Sequence, residues 1–160
     1  MILAIGGNLA GDYPSLETLL EAALCELPRL ALRPLRRSSW WRSAAWPDPT
    51  QLPYLNAVTI VETSLAPREA LAATLGLEAR FGRSRGAPNA PRTLDLDLIA
   101  YGRLAVREPG LTLPHPRAHE RRFVMGPLAE IAPDWRHPVL GKTAAELAEA
   151  ATVGSDATPA

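Results

Sequence analysis

The sequence predicts an α+β fold, a ferredoxin-like βαββαβ core in which an antiparallel sheet carries helices packed on one of its faces. Three observations predict it. Four short segments read as strands, two segments of helical period fall in the first and third gaps between them, and the chain has the length of one domain. Its 160 residues, 47% of them hydrophobic, suffice for a core that would bury roughly 70% of the unfolded surface.

The elements follow in order. Residues 2–5 form an apolar run closed by Gly6-Gly7-Asn8, as in a buried strand ending in a turn. After Pro14, Leu16, Leu19, Leu20, Ala23, Leu24 and Leu27 recur at helical spacing until Pro28. Residues 30–41 loosen toward alternation and read as a second strand. Residues 43–53 hold three prolines and few aliphatics, so they read as a loop of a length that is often functional. Residues 55–63 alternate as a third strand, and Pro67 starts a second helix running to about Phe81. Residues 82–91 form a second flexible loop, residues 94–101 a fourth strand, and Gly102 turns the chain. Residues 111–113 are extended up to Pro114. Short helices are expected at residues 118–122 and 124–131, and an amphipathic one at 144–151. Residues 1–151 then make one domain, and 152–160 a tail expected to lack fixed structure.

Composition narrows the function. Seventeen basic residues balance seventeen acidic ones, which argues against a nucleic-acid binder, whose phosphate contacts need a basic excess. Sixteen of the basic residues are arginine, with Lys142 the only lysine. Cys25 stands alone, without disulfide or thiolate-cluster partners, and its apolar helical setting suggests a core position. No apolar stretch approaches a membrane span, and the first residues lack the features of a signal peptide. A soluble cytoplasmic protein is expected.

The chemistry concentrates in Pro91-Arg92-Thr93-Leu94-Asp95-Leu96-Asp97-Leu98-Ile99. In a strand, Leu94, Leu96 and Leu98 face the core, and Asp95 and Asp97 share the other face. Two carboxylates about 6.5–7 Å apart can bracket hard cations such as magnesium, which takes one or two carboxylates plus phosphate oxygens. A solvated polar strand face gives the same alternation, but aspartate is poorly suited to strands. Arg83, Arg85 and Arg92 flank the preceding loop, and convergent guanidiniums there would clamp a polyphosphate.

These residues resemble the hallmark of the 6-hydroxymethyl-7,8-dihydropterin pyrophosphokinases. Further segments match in order: Gly6-Gly7-Asn8-Leu9, Gln51-Leu52-Pro53-Tyr54-Leu55-Asn56-Ala57, Glu78 with Gly82-Arg83, Leu113-Pro114-His115-Pro116-Arg117, and Glu120-Arg121-Arg122-Phe123-Val124. The similarity continues through Pro127-Leu128 and Ile131-Ala132-Pro133, and it spans residues 2–147. The resemblance implies a monomeric enzyme that moves the β,γ-diphosphate of ATP onto the pterin hydroxymethyl group and releases AMP. It implies Asp95 and Asp97 as ligands of two magnesium ions, and Arg83 and Arg92 as charge stabilisers. Tyr54 and Phe123 would sandwich the pterin, Asn56 would read its polar edge, and Ser43 and Trp46 would close the pocket. Glu78, Arg85, Leu98, Thr112, His115 and Arg121 match positions around ATP. The chain departs from the family pattern at Asn89-Ala90, where tryptophan and glycine are common, at Ala44-Ala45, where two prolines are usual, and at Gly7, where serine is usual.

Other readings of the residues are weaker. Gly141-Lys142-Thr143 lacks the upstream glycine of a phosphate loop, which is replaced by Arg136. His115 and His119 have zinc-pair spacing, but Pro116 lies between them and no third ligand is evident. A metal-dependent phosphohydrolase could use the same aspartates without a pterin pocket. A non-enzymatic ferredoxin-like module binding nucleotide or RNA would need exposed aromatic and basic residues on its sheet.

Overall fold

The structure, a computed structural model, describes residues 1–45, 48–83 and 90–160. Strand β1 (Ile2–Gly7) leads to helix α1 (Leu16–Glu26). The helix starts at Ser15, whose hydroxyl accepts the Thr18 N–H at 3.1 Å, a side-chain cap that satisfies one of the orphan donors of the first turn. Its stripe of Leu19, Leu20, Ala23 and Leu24 is buried. Pro28 tightens the exit into a 3₁₀ turn, Leu27–Leu30.

The expected second strand is two. β2 (Arg33–Arg37) and β3 (Trp41–Ser43) both pair with β4 (Tyr54–Glu62). Ser38 sits in the break between them: its hydroxyl accepts the Val58 N–H at 3.1 Å and donates to the Ser39 carbonyl at 2.8 Å. A side chain there takes a ladder position that backbone would otherwise fill. Helix α2 (Pro67–Arg80) starts at its proline, with the Glu69 carboxylate accepting the Ala66 N–H at 2.7 Å. β5 (Asp95–Ala100) completes the core. A small hairpin follows, β6 (Val106–Glu108) with β7 (Leu111–Leu113), and then a 3₁₀ turn at Ala118–Glu120. The chain continues through α3 (Arg122–Ile131) and α4 (Ala144–Ala150) to a final short strand, β8 (Thr158–Pro159).

The main sheet runs β5-β1-β4-β3-β8, with β2 also on β4, and its pairings are antiparallel. This is the order that two interleaved βαβ units give, each leaving a gap that a strand of the other fills. The expected α+β class holds, but the helices cover both faces. Leu3, Ile5, Ala57, Val61, Leu96 and Leu98 pack with α1 and α2, whereas Ile2, Val58, Ile99 and Ala100 pack with α3 and α4. Alternate residues of one strand thus feed two cores.

Two further expectations are corrected. Cys25 is exposed on α1, one position beyond the buried Leu24, because the stripe facing the sheet leaves it outside. The tail is ordered: Thr158 and Pro159 pair with Arg42 and Trp41, and Ala157 is fully buried.

Candidate active site

The end of β1 lies beside the start of the antiparallel β5, with Gly6 opposite Asp95 and Ala4 opposite Asp97. Alternation on β5 buries Leu94, Leu96 and Leu98 in the first core and leaves Asp95 and Asp97 on the opposite face, half-buried in a cleft. The cleft is a cavity of about 150 Å³, also lined by Gly6, Ser43, Tyr54, Asn56, Arg92, Arg121 and Phe123. Most of the predicted site therefore converges.

The carboxylates are engaged by arginine. Arg83 Nη1 donates to Asp95 Oδ1 at 2.6 Å and to Glu78 Oε1, and Arg92 Nη1 donates to Asp95 Oδ2 at 2.8 Å. Arg121 Nη1 reaches Asp97 Oδ2 at 3.4 Å, and its guanidinium lies 5.8 Å from the Phe123 ring centroid. Burial, reinforced by the charge of Asp95, pushes Asp97 above the usual carboxylate range, despite His115 and Arg121. Burial likewise pushes His115 down, against the pull of Asp97. Two carboxylates this close to each other cannot both be comfortable without positive charge nearby.

Glu78 lies behind this layer. It is 2% exposed, accepts the Leu96 N–H at 2.7 Å as well as Arg83, and burial raises it to about 7. Its place is under the aspartate strand, where it positions Arg83. Leu98 is packed in the first core. Thr112 and His115 line a neighbouring cavity of about 350 Å³ with Arg107, His119 and His137. His115 is reached through the cis Leu113–Pro114 peptide, and its N–H donates to the Ile99 carbonyl at 2.8 Å. Trp46 and Arg85 lie outside the described residues.

Between β3 and β4, Asn56 Nδ2 donates to Ser43 Oγ at 3.2 Å, both side chains being buried. Asn56 Oδ1 sits so close to Gly6 that a Cβ there would lie 2.7 Å away, so any side chain at this position would push the Asn56 amide aside. The chain's departure at Gly7 is also tight. A Cβ would lie 2.4 Å from the Thr93 carbonyl oxygen, so serine would need the Thr93 backbone to shift.

Asn8 is the residue that sequence reasoning passed over. Its Oδ1 accepts the Arg92 N–H at 2.9 Å, its own N–H donates to the Arg92 carbonyl at 3.0 Å, and its Nδ2 donates to the Leu52 carbonyl at 3.1 Å. One side chain, 3% exposed, thus joins Arg92 to the loop before β4. The signal was present in the Gly-Gly-Asn turn closing β1, but the partners lie 44 and 84 residues away.

Among the described residues, no group of three or more His, Cys, Asp or Glu side chains is placed to hold an ion unaided. Asp95 and Asp97 do suit a cation that arrives with phosphate oxygens, because magnesium needs only one or two protein carboxylates in such sites.

The sequence profile of 7,8-dihydro-6-hydroxymethylpterin-pyrophosphokinase (HPPK) matches residues 2–133. A Synechocystis protein named 2-amino-4-hydroxy-6-hydroxymethyldihydropteridine pyrophosphokinase is 44% identical over 149 residues, which cover 92% of this chain and 74% of that one. The protein of the same name from Methylorubrum extorquens is 38% identical, with 82% of each chain covered. Wild-type Plasmodium falciparum HPPK-DHPS, solved with pteroate, shares the fold at a TM-score of 0.71 and 13% identity. The match covers 92% of this chain but only 43% of that longer one. The profile match takes in both interleaved βαβ units and the aspartate strand, and at these levels of identity the chain belongs to the 7,8-dihydro-6-hydroxymethylpterin-pyrophosphokinase family.

Proposed function

We propose that Asp95 and Asp97 hold the magnesium-bound phosphates of ATP, that Arg83 and Arg92 take phosphate oxygens, and that the pterin lies between Tyr54 and Phe123. The reaction is that of the family: the β,γ-diphosphate of ATP passes to the hydroxymethyl oxygen of 6-hydroxymethyl-7,8-dihydropterin in folate biosynthesis, and AMP leaves. The observation that carries the residue assignment is a single cleft lined by Asp95, Asp97 and Arg92 together with Tyr54, Asn56 and Phe123.

Charge balance supports it. Asp95 pairs with Arg83 and Arg92, and Asp97 with Arg121. A metal–nucleotide complex supplies cations to the carboxylates and oxygens to the guanidiniums, so the exchange leaves no buried charge unpaired. Magnesium, when bound, would neutralise the triphosphate and polarise the α- and β-phosphates. Two such ions, a monomeric working form and a cytoplasmic location belong to the same proposal.

The chain supplies positioning. Asn8 clamps the Arg92 backbone on both sides, so the guanidinium keeps its bearing when it passes from Asp95 to phosphate. Arg83, at the edge of the loop after α2, must release Asp95 to do the same. Tyr54 and Phe123 would fix the ring plane, and Asn56, held by Ser43, has a donor and an acceptor left for the pterin amide and amino edge. Arg121, beside Asp97, and Thr112 and His115, in the neighbouring cavity, would take the nucleotide. In-line attack at the β-phosphorus needs alignment and neutralised oxygens more than covalent help.

Product analysis tests the proposal. Protein, magnesium, ATP and the reduced hydroxymethylpterin should give AMP and the pterin diphosphate in equal amounts. ADP, or phosphate released without a pterin product, would indicate a kinase or a phosphohydrolase instead.

A further inference from the structure

The family profile ends at residue 133, yet the cleft does not. Val153 lines it beside Ser43, Ala44 and Phe123. Beyond α4 the chain returns across the start of α3. There the Val153 N–H donates to the Glu120 carbonyl at 2.9 Å, and the Arg122 N–H donates to the Val153 carbonyl at 2.9 Å. Gly154 follows with φ of +64°, where an added Cβ would lie 2.5 Å from Phe123 Cδ1 and 3.1 Å from Cε1. Its backbone is therefore pressed against the Phe123 ring, in a conformation that side chains resist.

The next contact reaches the other wall. Asp156 Oδ2 accepts the Ala44 N–H at 2.5 Å, directly after Ser43, the residue that orients Asn56. Ala157 is fully buried, and its carbonyl accepts Arg122 Nε at 3.3 Å. Thr158 and Pro159 pair with β3, and the Ala160 N–H donates to the Trp40 carbonyl at 2.8 Å. Within nine residues, the terminus ties the end of β3 to the beginning of α3.

We infer that residues 152–160 form a strap that presets the pterin end of the cleft, with Gly154 and Asp156 as positioning residues for Phe123 and for the Ser43–Ala44 corner. The inference rests on the reading that the pterin stacks on Phe123. A platform ordered before binding does not lose freedom when the ligand arrives, so the strap should act on pterin affinity. Asp95, Asp97 and Arg92 are anchored elsewhere, by Asn8 and β5, and should not feel the loss of the Asp156 contact, while Arg121 is bridged to Val153, which that loss leaves in place.

Asp156 is exposed, so replacing it removes the tie without opening the core. Pterin binding is measured with saturating magnesium and a non-hydrolysable ATP analogue, and analogue binding is measured separately. Asp156→Ala should weaken pterin binding by about three- to tenfold and leave analogue affinity unchanged. Asp156→Asn, which keeps an acceptor oxygen, should restore wild-type affinity. Gly154→Ala should weaken pterin binding more, because it displaces the ring. Unchanged pterin affinity in Asp156→Ala, or equal loss for both ligands, overturns the strap. Phe123→Ala separates the two layers of the inference. Lost pterin binding in Phe123→Ala beside a normal Asp156→Ala refutes only the strap. Normal pterin binding in Phe123→Ala refutes the stacking platform, and the strap with it.

Discussion

Replacing Glu78 with glutamine should change how the fold responds to pH, in a direction and amount set by its burial. Glu78 is 2% exposed, and burial lifts it from 4.5 to about 7, more than the Leu96 N–H and Arg83 draw it down. Between these two values the unfolded chain has released the proton that the folded chain keeps. Folding stability therefore falls as pH rises through the interval. The distance from 4.5 to about 7 corresponds to about 3 kcal/mol, a large share of the ~5–15 kcal/mol that holds a domain together. Glutamine keeps an oxygen for Leu96 and carries no charge to bury, so Glu78→Gln should lack this slope. Urea unfolding of both proteins without ligand, at about pH 4.5 and pH 7.5, measures it. Wild type should lose about 3 kcal/mol relative to the variant over that interval. Asp97 is also raised, but it is present in both proteins and largely cancels in the difference. Parallel pH profiles would refute the reasoning and show that Arg83 keeps Glu78 ionised at no net cost.

The remaining predictions concern catalysis. Asp95→Ala and Asp97→Ala should each abolish turnover while circular dichroism stays native, and near-normal turnover with magnesium in either would remove them as metal ligands. Arg83→Ala should lower kcat by about a hundredfold or more and affect ATP affinity little, because Arg83 has Glu78 and Asp95 as competing partners; equal losses in affinity and rate would make it a ground-state clamp. Asn8→Ala should cost about 1–3 kcal/mol of stability, since it strands buried partners on Arg92 and Leu52. It should also weaken nucleotide binding through a misplaced Arg92, and calorimetry with an ATP analogue would detect an unchanged affinity that contradicts this.

What the sequence determined by itself is the part governed by local rules. Period-two alternation placed Leu94, Leu96 and Leu98 on one side and Asp95 and Asp97 on the other, and that alone puts both carboxylates on one face. Helical spacing found α1 and α2, and Pro67 marked the start of α2. The ordered motifs from Gly6 to Pro133 named the family before any contact was known. Tertiary structure decided what depends on partners distant in the chain. The tail carries no periodicity, and it becomes β8 only because β3, more than a hundred residues earlier, offers it an open edge. Glu78 reads as one more helical carboxylate until β5 passes over it and shuts out water. Asn8 reads as a turn residue until Arg92 and Leu52 arrive at its amide. Hydrophobic pattern is written along the chain, whereas the burial of a charge and the pairing of an edge exist only after distant segments meet.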